Sequence, residues 1–163
     1  MATPALSTST RYFDPEVTKC YFVPTIANKT SPTRVEMDAG TDLTDEIADL
    51  SGWMVAGEAI PTPDLGSRFT SNIPGRTQAE DSSLTFYSDQ EGVDVRAVLP
   101  RDTNGFVVWL DGGDTPGNKM DVFPVRVLSN GKQRNLQNEA AKIQVQFAIT
   151  SQPAENVTVP ALT

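Results

Sequence analysis

The sequence predicts a mainly β domain with one short helix, a long loop and flexible ends. Three observations carry that reading. Runs rich in Val and Thr are broken by Pro or Gly at intervals of roughly ten residues, the punctuation of many short strands. The 12 prolines and 11 glycines are spread through the 163 residues, not pooled in a linker. Ala141–Thr150 sets Ile143, Val145, Phe147 and Ile149 against Lys142, Gln144, Gln146 and Ala148, the period of a half-buried strand.

Residues 1–16 are polar, carry Pro4 and Pro15, and read as an N-terminal arm. Lys19–Ile26 is the first strand, and Pro24 places its end at an edge or bulge. Thr33–Asp38 turns Val35 and Met37 one way and Arg34, Glu36 and Asp38 the other, which predicts a strand with a charged face. Gly40–Gly52 places Leu43, Ile47 and Leu50 at i, i+4 and i+7, one face of a short helix. Thr41 or Asp42 would cap it and Gly52 would end it. Trp53–Ile60 then reads as a strand whose small residues permit close backbone approach.

Pro61–Arg76 has no period of its own. It holds three prolines, two glycines and two arginines, with Leu65, Phe69 and Ile73 isolated among them. A loop of this length is functional or disordered; its apolar residues argue against plain disorder and for burial, against a partner subunit or else in its own domain. Ser83–Tyr87 is a strand. Ser88–Glu91 matches a capping box, and the stripe Val95, Val98, Leu99 before Pro100 predicts the best helix in the chain. Gly105–Leu110 is apolar on both faces and should be a central strand. Asp111–Gly117 is turn chemistry. Val122–Leu128 is a strand, with Asn130-Gly131 as a turn behind it. The tail closes in an extended NVTVP, so 152–163 reads as a C-terminal arm of a single domain spanning 1–163.

Composition removes most chemistry. Acids number 21 and bases 13, so the net charge is −8, with no histidine and one cysteine. That balance disfavours gripping phosphates, which needs clustered Lys and Arg. Without His there is no Ser-His-Asp or Cys-His triad. One Cys excludes a disulfide framework and a Cys-based zinc site. The acids Asp38, Asp42, Asp45, Glu46 and Asp49 miss the frame of a calcium loop. Asp111 and Asp114 read as a surface turn rather than a catalytic pair. Cys20 reads as a buried hydrophobe, and Trp53 and Trp109 as core or interface anchors. No catalytic residue, metal ligand or cofactor is expected. The longest dense apolar run, Phe106–Leu110, is far short of the ~20 residues of a membrane span. The start lacks the pattern of a secretion signal, so a soluble protein of a reducing cytoplasm is expected. The residues by themselves fit an assembly subunit. A connector or adhesion β-sandwich, and a carboxylate hydrolase using Asp111 and Asp114, are the other readings.

One order of segments is familiar: a strand followed by GTDLTDEIADLSGW, then PTPDLGSRFTSNIPGR, SSLTFYSD, LPRDTNGFVVWLDGGD, KMDVFPVRVLSNGKQRN and AAKIQVQFAITSQPAENVTVPA. From about Thr18 to Ala161 it resembles the major tail, or tail tube, proteins of tailed bacteriophages, particularly siphophages of actinobacterial hosts. The resemblance implies a mainly β, tail-tube-type sandwich or barrel with one short flanking α-helix, a long loop and extended N- and C-terminal arms, and a structural virion protein made in the host cytoplasm. Six copies would form a ring, and rings would stack into a tube around the tape measure protein. Tail terminator and distal tail proteins would be further partners, DNA would pass without specific binding, and no membrane would be involved. On that reading Leu65, Arg68, Phe69, Ile73 and Arg76 contact a neighbouring subunit or ring. Glu36, Asp38, Glu58, Lys142, Gln144 and Gln146 are the candidates for lining the lumen. A tail terminator, another head–tail module or an adhesion module is the alternative.

Overall fold

The computed structural model describes residues 2–162. Its spine is β8, a strand of 15 residues, Lys119–Gln133. Along one edge lies β7 (Asn104–Leu110), paired over Asp121–Arg126. The other edge is shared by β9 (Lys142–Ile149) on Val125–Gln133 and β10 (Ala154–Thr158) on Lys119–Val122. Outward from β7 come β1 (Lys19–Val23) and β2 (Thr41–Asp42). Outward from β9 come β6 (Ser82–Tyr87) and β3 (Ile47–Ser51). The path is β2-β1-β7-β8-β9-β6-β3, and every pairing is antiparallel.

That order forces curvature. β2 and β3 end the path at opposite edges, yet only Leu43–Glu46 separates them in sequence. Seven strands laid flat span about 29 Å at the usual ~4.8 Å spacing. The five Cα steps from Asp42 to Ile47 reach at most about 19 Å. The sheet therefore curls until its two edges approach each other.

Curling produces two cores. Inside the curl lie Phe22, Leu84, Phe86, Val107, Phe123, Ile143 and Val145, with Trp53 and Leu99 added from the connections. On the outer face of β1, β7 and the start of β8, the residues Val23, Val108, Leu110, Met120 and Val122 form a second core under Ile26, Met37, Val157 and Val159. Val107 faces one core and Val108 the other, as expected for a central strand buried on both sides.

Several expected elements take another form. Thr33–Asp38 is not a strand. Arg34–Asp38 is a short helix, α1, opened by a capping box: Thr33 Oγ1 accepts from Glu36 N at 3.2 Å, and the Glu36 carboxylate accepts from Thr33 N at 2.9 Å. Buried Arg34 and Met37 stand at i and i+3, and Val35 is 72% exposed, so the alternation in the sequence was incidental. Gly40–Gly52 is not a helix. It is β2, a 3-10 turn at Thr44–Glu46, and β3. The ladder with β6 and the bond from Cys20 N to Thr44 Oγ1 at 3.1 Å override its helical spacing.

The Ser88 capping box does not form either. The Asp89 carboxylate accepts from Glu91 N and Val93 N at 3.0 Å, and the helix is the single turn α2 (Val95–Val98), capped by Asp94. Asn130-Gly131 does not turn; it runs on within β8, where Gly131 faces Gln144. The tail expected to be an extended arm contains β10, and Val157 and Val159 are buried. Pro61–Arg76 is not an irregular loop but the greater part of a β-hairpin.

Candidate assembly surfaces

β4 (Val55–Thr62) and β5 (Ser71–Ala79) pair into a two-stranded sheet of their own. The chain reaches it from β3 and leaves it into β6, which also pair with each other. The two ladders are thus successive pieces of one ribbon, interrupted at Gly52–Met54 and Glu80–Asp81. Gly52 and Trp53 both have positive φ there, +84° and +65°. A Cβ on Gly52 would stand 2.3 Å from the Asp81 carbonyl oxygen, so only glycine fits. Trp53 is held in this disfavoured conformation by its surroundings. Its N–H donates to Ser82 Oγ at 3.1 Å and its Nε1 to Ser83 O at 3.2 Å. Its ring meets Trp109, Phe123 and Phe147 at centroid distances of 5.3–5.7 Å. Trp53 pins the ribbon where it leaves the body.

Beyond that joint the hairpin is open to solvent. Leu65 is fully exposed, Phe69 is 76% exposed, and Ile60 and Ile73, opposed on the two strands, are each about half exposed. An isolated two-stranded ribbon is marginal in water, and this one displays apolar side chains on both strands. The residues expected to contact a neighbour are all here: Leu65, Arg68 and Phe69 in the 63–70 connection, Ile73 and Arg76 on β5.

A second surface is the outer face of β6, β9 and the end of β8. Its cross-strand rows are Ser83, Gln146 and Ser129; Thr85, Gln144 and Gly131; and Tyr87, Lys142 and Gln133. Ser129 Oγ donates to Gln146 Oε1 at 3.2 Å. Lys142 is the single charge among these nine, so the face is hydrophilic and nearly neutral. Lys142, Gln144 and Gln146 stand together on it. Glu36, Asp38 and Glu58 do not join them: Glu36 and Asp38 ride on α1, and Glu58 stands at a bulge in β4. The Glu36 carboxylate is held by the Thr33 and Ala27 amides, which pull its pKa below the ordinary carboxylate value.

A cleft of about 610 Å³ opens along the seam between β1 and β3. Trp53, Trp109 and Phe123 line it, with Asp14, Asp45, Asp111 and Asp121. Burial raises the Asp111 pKa, and the charges of Asp121 and Asp14 add to the shift. Asp114 stands in different company, bound by Arg34 and by the Tyr21 hydroxyl at 3.1 Å. Asp111 and Asp114 are therefore not a matched acid–base pair. Cys20, in the cleft wall, is buried, and burial followed by the Asp42 charge pushes its thiol pKa up. Among the described residues no three His, Cys, Asp or Glu side chains gather as a metal-binding group. Among them, too, no helix is long and apolar enough to cross a membrane.

The model of one protein family, described as phage tail tube protein, matches residues 7–162. The chain belongs to the phage tail tube protein family. Solved structures share the fold of this tail tube protein. A chain of an extracellular contractile injection system, the PVC sheath/tube terminator in its extended state, superposes with a TM-score of 0.61 at 9% identity, covering 90% of this chain and 98% of that one. A chain of the anti-feeding prophage (AFP) baseplate, 6-fold symmetrised, superposes with a TM-score of 0.56 at 12% identity, covering 95% and 98%. Among curated proteins, none matches the chain.

In this tail tube protein, sequence reasoning found the exposed hairpin residues through their isolation between prolines and glycines. It missed the joint at Gly52–Trp53 and the Arg34–Asp114 cluster. The signal for α1 was present as Thr33-x-x-Glu36, a capping box hidden by a coincidental alternation.

Proposed function

We propose that this protein is the repeating subunit of a phage tail tube: six copies form a ring, and rings stack around a tape measure protein into a conduit for the genome. The observation that carries the reading is the solvent-exposed β4–β5 hairpin, whose apolar residues have no partner within the subunit and need one. The face carrying Lys142, Gln144 and Gln146 suits a lumen. It is polar, weakly charged and free of clustered bases, so it does not trap phosphates. The chain's net charge of −8 acts in the same sense. Tail terminator and distal tail proteins are the expected neighbours at the tube ends, within the virion.

Negative-stain microscopy of the protein, alone and co-expressed with its tail partners, tests this. Stacked six-fold rings are expected. Replacing 55–79 by a two-residue turn is expected to abolish stacking while leaving a folded subunit. Normal tubes from that variant would overturn the role of the hairpin, and absence of rings from the intact protein would overturn the function. A second reading is a terminator, favoured by the likeness to the PVC sheath/tube terminator. It predicts single rings that never stack.

A further inference from the structure

We propose that the β5 side of the hairpin docks, in the next ring, on the pole formed by the connections 88–94 and 134–141 of a second copy. This rests on the tube reading and assigns the surface that receives the hairpin.

Topology sets the two surfaces at opposite ends of one strand. β6 begins at Ser82, beside the joint with the hairpin, and ends at Tyr87, where the chain enters 88–94. β9 runs antiparallel to it, with Ser82 opposite Phe147 and Tyr87 opposite Lys142. The connection leading into Lys142 therefore lies beside 88–94, and Ser88 N donates to Ala141 O at 2.9 Å. The hairpin is joined to the other end, its eight-residue strand about 26 Å long at ~3.3 Å per residue. Within one subunit the two surfaces leave each other uncovered, Leu65 and Phe69 on the hairpin and Val93 and Leu136 at the pole all being exposed, so a second copy is needed to pair them.

Charge and apolar surface match. Residues 65–77 hold Arg68 and Arg76 and no acid, while the hairpin's two acids, Glu58 and Asp64, lie on and just after the facing strand β4. At the pole, residues 88–94 hold Asp89, Glu91 and Asp94 and no base, and 134–141 add one charge of each sign, Arg134 and Glu139. Asp89 and Glu91 are exposed. In the two connections Val93 is 81% exposed and Leu136 fully so, facing solvent as Leu65 and Phe69 do on the hairpin. The β5 arm and the pole thus each offer large apolar side chains edged by charge, of opposite net sign. A contact between unlike patches at opposite ends of one subunit is head-to-tail and repeats without closing on itself along the stacking direction. Charges at its rim fix register and partner choice, while the apolar groups supply the burial.

Two measurements test the docking. In the first, Phe69→Cys and Val93→Cys are combined. Native Cys20 is buried, so it adds little background. Oxidation of assembled tubes is expected to give a ladder of dimers, trimers and longer chains on a denaturing gel. In the second, Arg68→Glu and Glu91→Arg are each expected to raise the tube-forming concentration about ten-fold, and the two together to restore most of the loss. Unchanged tryptophan emission confirms that the variants fold. Intact tubes that give no ladder, a double variant no better than either single one, or a link from position 93 only to a different tail protein would overturn the docking and leave the tube function standing. Failure of the unmodified protein to form tubes would overturn the function itself.

Discussion

Arg34 Nη1 stands 3.0 Å from both carboxylate oxygens of Asp114, a residue 80 positions away in sequence. Arg34 Nη2 also donates to Pro160 O at 2.7 Å, and the Tyr21 hydroxyl donates to Asp114. One cluster thus ties α1, β1, the turn after β7 and the C-terminal segment. Arg34→Ala removes the cation and leaves a partly buried carboxylate, and is expected to cost about 3 kcal/mol. Arg34 Nε is buried without a partner, so the pair is incompletely satisfied. The double change Arg34→Met with Asp114→Leu is therefore expected to recover most of that loss. Urea denaturation of the three proteins checks both statements.

Tyr21 makes the same cluster sensitive to alkali. Burial, then the charge and hydrogen bond of Asp114, push its pKa from 10.0 to about 12. The folded state therefore keeps a proton that the unfolded chain has lost. Stability from this group is complete below pH 10 and declines as pH rises from 10 toward 12. Tyr21→Phe is expected to remove that component of the decline. Thermal melts between pH 8 and 12 measure it.

The joint at Trp53 is expected to be the most sensitive point of the ribbon. Trp53→Ala opens a cavity beside Trp109, Phe123 and Phe147 and is expected to cost about 3–5 kcal/mol. Gly52→Ala adds a Cβ against the Asp81 backbone at positive φ and is expected to cost at least about 2 kcal/mol. Denaturant midpoints report both.

Gly75 separates hairpin from body. A Cβ there would lie 2.9 Å from Glu58 O and from Ile60 Cγ1. Gly75→Val is expected to distort the hairpin while shifting the unfolding of the body by no more than about 0.5 kcal/mol. Tube yield by microscopy should fall sharply while the melting curve stays in place.

Cys20 is expected to be inert to a thiol reagent in the native protein and to react with one equivalent after unfolding. It is buried, and burial and Asp42 disfavour its thiolate. Absorbance titration with an aromatic disulfide follows this directly.

Strands that alternate over a long run were legible in the sequence. Ile143, Val145 and Phe147 are buried together because a β-strand has period two and their neighbours are polar. Gly105–Leu110 was legible because it is apolar on both faces, which suits only an interior strand. Short segments were not. Five residues of Arg34–Asp38 satisfy period two and period 3.6 about equally well, and the capping bonds of Thr33 and Glu36 decide between them. Gly40–Gly52 has helical spacing, but β6 offers it a ladder on one side and Cys20 N bonds to it on the other.

The sequence by itself determined the class of the protein: mainly β, acidic, without the histidine or cysteine sets that most catalysis and metal binding use, and with apolar residues stranded in a Pro/Gly-rich segment. These follow from composition and from patterns longer than a turn, which no fold can alter. Only the tertiary structure decided that this segment is a projecting hairpin, that a tryptophan at positive φ anchors it, and that its basic arm and the acidic 88–94 connection lie at opposite ends of β6. Strand order, edge approach and burial arise from contacts between residues far apart in the chain, and local patterns carry no record of them.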